Sequence, residues 1–189
     1  MNLNEAIKKG FLFLKKKDVI SAQLDAELLL SKVIRKDKKY LVLNNNEILN
    51  QKKIDNYNYL LKSRSLGKPI AYLLNKKDFW KNEFYVTSDV LVPRPDTEIV
   101  VEEILSMTKF KNKINFLDIG AGSGCIILSI LKEKIKFNGV ALDISNKSLE
   151  ICRINAKILN VSNRIKFFKS DIDNFNYGKY DLIISNPPY

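Results

Sequence analysis

Histidine is absent from this 189-residue chain, which removes Ser-His and Cys-His nucleophile pairs and any imidazole general base. Cysteine is nearly absent too. Cys125 and Cys152 sit in separate helix-like segments without a companion at metal-ligand spacing, which argues against a zinc site, and both read as reduced packing residues. Arginine supplies only 5 of the 32 basic residues, so the chain is poor in the forked donors that grip phosphate. Long apolar runs are missing: stretches such as residues 125–128 fall far short of the roughly 18 residues that a membrane-spanning helix needs. Residues 11–14 are apolar but flanked by lysines, with no small-residue cleavage pattern, which argues against a secretory signal. These absences point to a cytoplasmic protein with no metal and no membrane partner.

What is present is enough for a folded chain, 46% hydrophobic, with room for one full domain and a small accessory one. The net charge of +11 is uneven. Residues 1–82 hold 18 Lys/Arg against 8 Asp/Glu, whereas residues 83–189 hold 14 against 13. Lysine runs such as residues 15–17 lack interleaved aromatics, so the basic half reads as solvated helix faces and not as a nucleic-acid groove.

Residues 3–66 carry helical periodicity. Leu3, Ile7, Phe11 and Leu14 share one face; Ser21 is placed to cap a second helix with Leu24, Leu28 and Leu29; residues 51–66 form a third that ends at Gly67. A short piece around residues 40–43 adds a turn. From Pro69 the pattern predicts a hairpin of residues 70–74 and 84–87 about a polar turn at 75–78. Pro93-Arg94-Pro95-Asp96-Thr97-Glu98 then stops extended structure, with Asp96 or Thr97 as the cap of a helix holding Ile99, Val100 and Ile104. From residue 114 the chain alternates: strands at 115–119, 139–143, 165–168 and 180–185, helices at 126–132 and 148–159. That order predicts a parallel sheet wrapped by helices, an α/β fold. The expected domains are a helical bundle over 1–68, a β-hairpin linker over 69–92 and an α/β domain over 93–189.

Asp118-Ile-Gly120-Ala121-Gly122-Ser123-Gly124 follows the first strand and opens a helix, so its glycines let the backbone turn tightly and a ligand approach the helix N-terminus. Such a turn alone is weak. Asp143 strengthens it, lying 19 residues past Gly124 at the end of the next strand, where an acid accepts hydrogen bonds from ribose hydroxyls. The G-x-G-x-G spacing favours the amino-acid end of S-adenosylmethionine over a pyrophosphate, and Asp118 could bind its ammonium. Asp171, followed by Ile172, stands after the third strand, where it could bond the adenine amine while Ile172 covers the ring. The most specific motif is Asn186-Pro187-Pro188-Tyr189. An amide or exocyclic amine is a poor nucleophile because its lone pair is delocalised. Acceptors on its N–H bonds, the Asn186 side-chain oxygen and the Pro187 carbonyl, would localise that electron density, and Tyr189 would stack on the flat group. No strong base is needed, in keeping with the missing histidine.

With these residues in hand the chain closely resembles the bacterial peptide chain release factor N(5)-glutamine methyltransferases. The resemblance runs through Asp25-Ala26-Glu27-Leu28-Leu29-Leu30, Gly67-Lys68-Pro69-Ile70-Ala71-Tyr72, Phe79-Trp80, Val92-Pro93-Arg94-Pro95-Asp96-Thr97-Glu98, the glycine turn, Asp143 and the final motif. It implies a Rossmann-like class I methyltransferase behind a small helical substrate-recognition domain. It further implies S-adenosylmethionine as donor, and as acceptor the glutamine of a release factor's Gly-Gly-Gln loop, with no direct nucleic-acid substrate and a monomeric enzyme. Asn186, Pro187 and Tyr189 would be catalytic, and Asn186 to Tyr189 would hold the substrate. Gly120 to Gly124, Asp143, Asp171, Ile172 and Asn186 would hold the cofactor. Asn-Pro-Pro-Tyr alone also fits enzymes that methylate adenine or guanine amino groups, and a remnant that only binds cofactor or partner is a third reading. Because members of the family continue past this motif, the sheet is expected to be incomplete here. The 180–185 strand would be an open edge, with Leu182, Ile183 and Ile184 losing cover and the short chain turning over little.

Overall fold

The computed structural model describes residues 1–186, so Pro187, Pro188 and Tyr189 lie outside the described residues. The chain divides into two units, Met1–Leu74 and Asn75–Tyr189. Among the described residues no helix is long and apolar enough to cross a membrane.

The first unit is helical. α1 (Leu3–Lys15) starts at a capping box: Asn2 Oδ1 accepts from the Glu5 N–H at 2.8 Å while Glu5 Oε2 accepts from the Asn2 N–H at 3.0 Å. α2 (Ala22–Ile34), α3 (Lys38–Leu43) and α4 (Gln51–Ser65) follow, the last two capped by Asp37 and Asn50. Ser21 does not cap α2. Its hydroxyl instead donates to Asp25 Oδ2 at 2.9 Å, and the same oxygen receives Arg64 Nε at 2.7 Å. Burying that ion pair between α2 and α4 turns α2 so that Ala22, Ala26, Leu29, Leu30 and Ile34 face the core, while Leu24 is left 47% exposed. Each such leucine withdrawn from water contributes about 1.5–3 kcal/mol.

Residues 70–74 are a helix, α5 (Ile70–Leu74), and not the expected strand. The Pro69 carbonyl accepts from the Tyr72 and Leu73 N–H groups. A five-residue apolar run has no periodicity to separate helix from strand, and the proline ahead of it presets a helical start. The hairpin lies one step later, as β1 (Lys76–Phe79) and β2 (Asn82–Tyr85), antiparallel with Phe79 opposite Asn82. Its turn is therefore Trp80-Lys81, and Trp80 takes a left-handed φ of 54°, costly for so bulky a residue. Hydrogen bonds hold it there: the Trp80 N–H to Glu98 Oε1 at 2.8 Å and the indole N–H to Glu133 Oε1 at 2.9 Å.

A short 3₁₀ turn, Pro95–Thr97, leads into α6 (Glu98–Met107), and neither Asp96 nor Thr97 caps it through a side chain. The alternation that follows is the predicted one: β3 (Asn115–Ile119), α7 (Cys125–Glu133), β4 (Asn138–Asp143), α8 (Asn146–Ile158), β5 (Ile165–Lys169) and β6 (Leu182–Ser185). The sheet is parallel in the order β5-β4-β3-β6. α7 and α8 bury Ile126, Ile127, Leu128, Leu131, Leu149 and Cys152, and β4 is buried along nearly its whole length, as parallel strands covered by helices are. β6 borders β3 and stands at the sheet edge, with Ile183 59% exposed, although Ile184 is buried.

Gly10 of α1 lies close against Tyr57 and Ala26. A methyl group there would run into the Tyr57 hydroxyl, which donates to the Ala26 carbonyl at 3.1 Å. We expect Gly10→Ala to lower stability by about 1–3 kcal/mol despite the better helix propensity of alanine. Denaturant unfolding followed by helical circular dichroism checks this, and Gly10→Ala with Tyr57→Phe should recover part of the loss.

Candidate functional site

All four strands of the parallel sheet point their carboxyl ends the same way, and from β3 the chain moves outward to β4 and β5 before returning to the far side of β3 as β6. In open α/β sheets the ligand crevice lies beyond the carboxyl ends at such a reversal, here between β3 and β6. Gly120 to Gly124 leave β3 at that point, and Asn186 leaves β6 beside them.

Gly120, Gly122 and Gly124 have φ of 72°, 55° and 78°, a region glycine enters without penalty. At Gly124 a side chain would also strike Cys152 Sγ and come within 2.8 Å of Leu128 Cδ1, so α7 starts hard against α8. At Gly120 an added methyl would meet nothing within 4 Å, so the turn presents open backbone on that side. β4 holds the turn from behind. The Leu142 carbonyl accepts from the Gly120 and Ala121 N–H groups at 2.8 and 3.1 Å, and Asp143 Oδ2 accepts from the Gly122 N–H at 3.0 Å. Asp143 Oδ1 accepts from the Ser145 N–H at 2.8 Å. Asp143 thus anchors the turn, a role its position alone did not reveal, and each carboxylate oxygen retains a second lone pair for a ligand.

Asp118, on β3 directly before the turn, is 2% exposed, and its Oδ2 has no hydrogen-bond partner among the described residues. Burial pushes its pKa up to about 7, against the opposing pull of a hydrogen bond from the Ile127 backbone and with help from the nearby charge of Asp143. It lines a cleft with Gly120 to Ser123, Pro93, Arg94, Thr97 and Asn186. An orphan buried carboxyl in a cleft is costly unless a ligand donor or cation completes it. The ammonium of an α-amino acid meets that need, so these residues fit the methionine end of S-adenosylmethionine.

Asn186 joins this cleft through its side-chain amide, which donates to Thr97 Oγ1 at 3.4 Å. That bond ties the strand end to the Pro-Arg-Pro-Asp-Thr-Glu segment; its Arg94, and Leu91 and Val92 just ahead of it, line the cleft and were not singled out as site residues. Asp171 and Ile172 follow β5 at the same end of the sheet but outside this cleft. Asp171 is exposed and accepts from the Asp173 N–H at 3.3 Å, capping a single 3₁₀ turn, and Ile172 is 44% exposed. Pro187, Pro188 and Tyr189 were named from the sequence and lie outside the described residues. A roomier cleft of ≈ 380 Å³ opens at the amino ends of the strands, the wrong end for the crevice rule, and its Arg164 guanidinium is already committed to the Leu131, Lys134 and Phe137 carbonyls.

A buried polar residue also escaped the sequence reading. Asn155 of α8 is fully buried and bonds both the hairpin and the Ser123 carbonyl of the glycine turn. The signal was there: Asn155 lies four residues after Ile151 on the buried face of an amphipathic helix, where a polar side chain needs a reason.

A parallel sheet with its glycine turn at the reversal point is a Rossmann-like arrangement, and with the match to a methyltransferase domain it is that of a class I methyltransferase, a class whose methyl donor is S-adenosylmethionine. Comparison with known proteins narrows the class. Residues 5–74 match the family described as PrmC N-terminal domain, and residues 96–189 match the methyltransferase small domain. The chain is 39% identical to the release factor glutamine methyltransferase of Buchnera aphidicola subsp. Acyrthosiphon pisum, over 100% of this chain and 67% of that one. It is also 39% identical to the enzyme of that name from Leptospira interrogans, over 97% of this chain and 65% of that one. The chain belongs to the release factor glutamine methyltransferase family and spans about two thirds of the length of these relatives. Among solved structures, an RNA methyltransferase from Salinibacter ruber in complex with S-adenosyl-L-homocysteine matches with a TM-score of 0.44 at 22% identity, over 50% of this chain and 60% of that one.

The raised pKa of Asp118 has a signed consequence. Between the ordinary value of 3.8 and about 7 the folded chain keeps a proton that the unfolded chain has released. Its contribution to stability is therefore lost as pH rises through that window and changes no further above it. Without cofactor, Asp118→Asn should flatten this part of the profile and raise the melting temperature at pH 8, by an amount equivalent to a few kcal/mol on the order-of-magnitude scale. Melting curves from pH 4 to 8 for both proteins check it, and parallel profiles would contradict it.

Proposed function

We propose that the catalytic unit transfers a methyl group from S-adenosylmethionine to the side-chain amide nitrogen of the glutamine in the Gly-Gly-Gln motif of a peptide chain release factor. The observation that carries this reading is the position of Asn186. The first residue of Asn-Pro-Pro-Tyr leaves β6 at the sheet reversal, in the same cleft as the glycine turn and Asp118. Relatives named release factor glutamine methyltransferase support the choice of acceptor.

S-adenosylmethionine, when bound, supplies an electrophilic methyl group on a sulfonium. The rest is the work of this chain. Asp118 offers its unpartnered oxygen to the ammonium, and Asp143 offers its remaining lone pairs to the ribose hydroxyls. Asp171 accepts from the adenine amine while Ile172 covers the base. Asn186 and the Pro187 carbonyl accept from the two N–H bonds of the glutamine amide, so electron density gathers on nitrogen, and Tyr189 stacks on the amide plane. The nitrogen becomes acidic only once alkylated, so its proton can pass to water and no side-chain base is required. In this reading residues 1–68 recognise the protein substrate, 69–92 link the parts and 93–189 perform the chemistry. The enzyme is a cytoplasmic monomer that takes no nucleic acid as substrate.

Radiolabelled S-adenosylmethionine offered with release factor, tRNA or duplex DNA, to this chain and to one extended to family length, tests the reading. Label is expected in the factor; label in nucleic acid alone would assign the motif to base methylation. Asn186→Ala should lower kcat on the order of 10²-fold, the usual cost of losing one preorganised transition-state contact.

A further inference from the structure

We propose that Asn155 is a positioning residue for cofactor binding, fixing the glycine turn by tying it to the β-hairpin. The proposal rests on the turn being the seat of S-adenosylmethionine.

Asn155 is 0% exposed. Its Oδ1 accepts from the Tyr85 N–H at 2.7 Å, and its Nδ2 donates to the Tyr85 carbonyl at 2.9 Å and to the Ser123 carbonyl at 2.8 Å. A carboxamide that bonds both the N–H and the C=O of one residue does what a neighbouring strand would do, so α8 gives the edge of β2 a partner. The remaining donor hydrogen reaches the glycine turn. A two-stranded hairpin is marginal by itself in water, and this one is further held by Glu98 and Glu133 at Trp80, while the loop that follows it is held by the Ser148 hydroxyl, which donates to the Asp89 carbonyl at 3.3 Å.

Seen from the turn, two side chains grip adjacent residues from opposite polarity. Asp143 takes the N–H of Gly122, and Asn155 gives to the carbonyl of Ser123. Because left-handed glycines supply freedom and no stiffness, these grips define where the backbone stands when a ligand approaches. Asn155 touches the turn from behind, so it has no part in the chemistry. An ordinary packing residue could be replaced by any side chain that fills its volume, whereas this one requires one acceptor and two donated hydrogens.

The test measures S-adenosylmethionine affinity by calorimetry, and melting temperature in parallel, on the full chain and its variants Asn155→Ala, Asn155→Asp and Leu149→Ala. Leu149, buried on the same helix, serves as the control for lost packing. Asn155→Ala is expected to weaken binding about tenfold or more, and Asn155→Asp at least as much, because a carboxylate cannot donate to two carbonyls. Leu149→Ala should lose melting temperature while keeping its affinity at temperatures where it is folded. Affinity unchanged in Asn155→Ala, or lost equally in the control, overturns the proposal. Hydrogen exchange of the unsubstituted chain gives a check that needs no variant to fold. Cofactor should slow exchange of the Tyr85 N–H, which lies outside the cleft, and unaltered exchange would overturn the proposal even if the cofactor binds. Failure of the unsubstituted chain to bind would instead refute the cofactor reading, and this inference with it.

Discussion

The hydrogen bond from the Gly122 N–H to the Asp143 carboxylate is the interaction on which the site depends. Three glycines in left-handed conformations could leave β3 in many directions. That they leave in one follows from β4, whose Leu142 carbonyl and Asp143 side chain fix three successive N–H groups of the turn. The β3–β4 register, with Ile119 opposite Leu142, sets where that anchor stands. Sheet pairing, turn geometry and cleft shape are thus one constraint, and the apolar burial of α7 and α8 holds the sheet in place beneath it.

Two buried aspartates show how the same residue type serves different ends. In the helical unit Asp25 is buried with Arg64 and Ser21 on its carboxylate, an arrangement complete within the protein. In the α/β unit Asp118 is buried with one oxygen unpartnered among the described residues, near a second acid. Removing a carboxylate from water without a counter-charge is unfavourable, and here that cost appears as a pKa raised to about 7. The first aspartate joins two helices of the bundle; the second lines the cleft beside the glycine turn. Sequence context does not separate them, because each precedes an apolar residue or a small one and neither lies near a basic residue in the chain.

The alternation of strands and helices from residue 114 onward, the parallel sheet and the glycine turn were all legible in the sequence, because short apolar runs alternating with helix-length segments over many residues leave few alternatives. Residues 70–74 were not legible, since five apolar residues are too few to show a period. The hairpin moved accordingly, to a turn at Trp80 that no residue preference would suggest. Ser21 and Thr97 look like caps by type, but each hydroxyl is engaged elsewhere, with Asp25 and Asn186.

By itself the sequence determined the class of fold, the family and the chemical types at the site: backbone that can approach a ligand, acids at strand ends, an amide before two prolines. These follow from local spacing, which survives without knowledge of distant contacts. Only the tertiary structure decided that Asp143 anchors the turn, that Asp118 has an oxygen without a partner among the described residues, and that Asn155 joins the hairpin to the turn. Each depends on groups between 9 and 70 residues apart in the chain. Burial and hydrogen-bond partnership are properties of the packed chain, and no pattern of neighbours along the sequence encodes them.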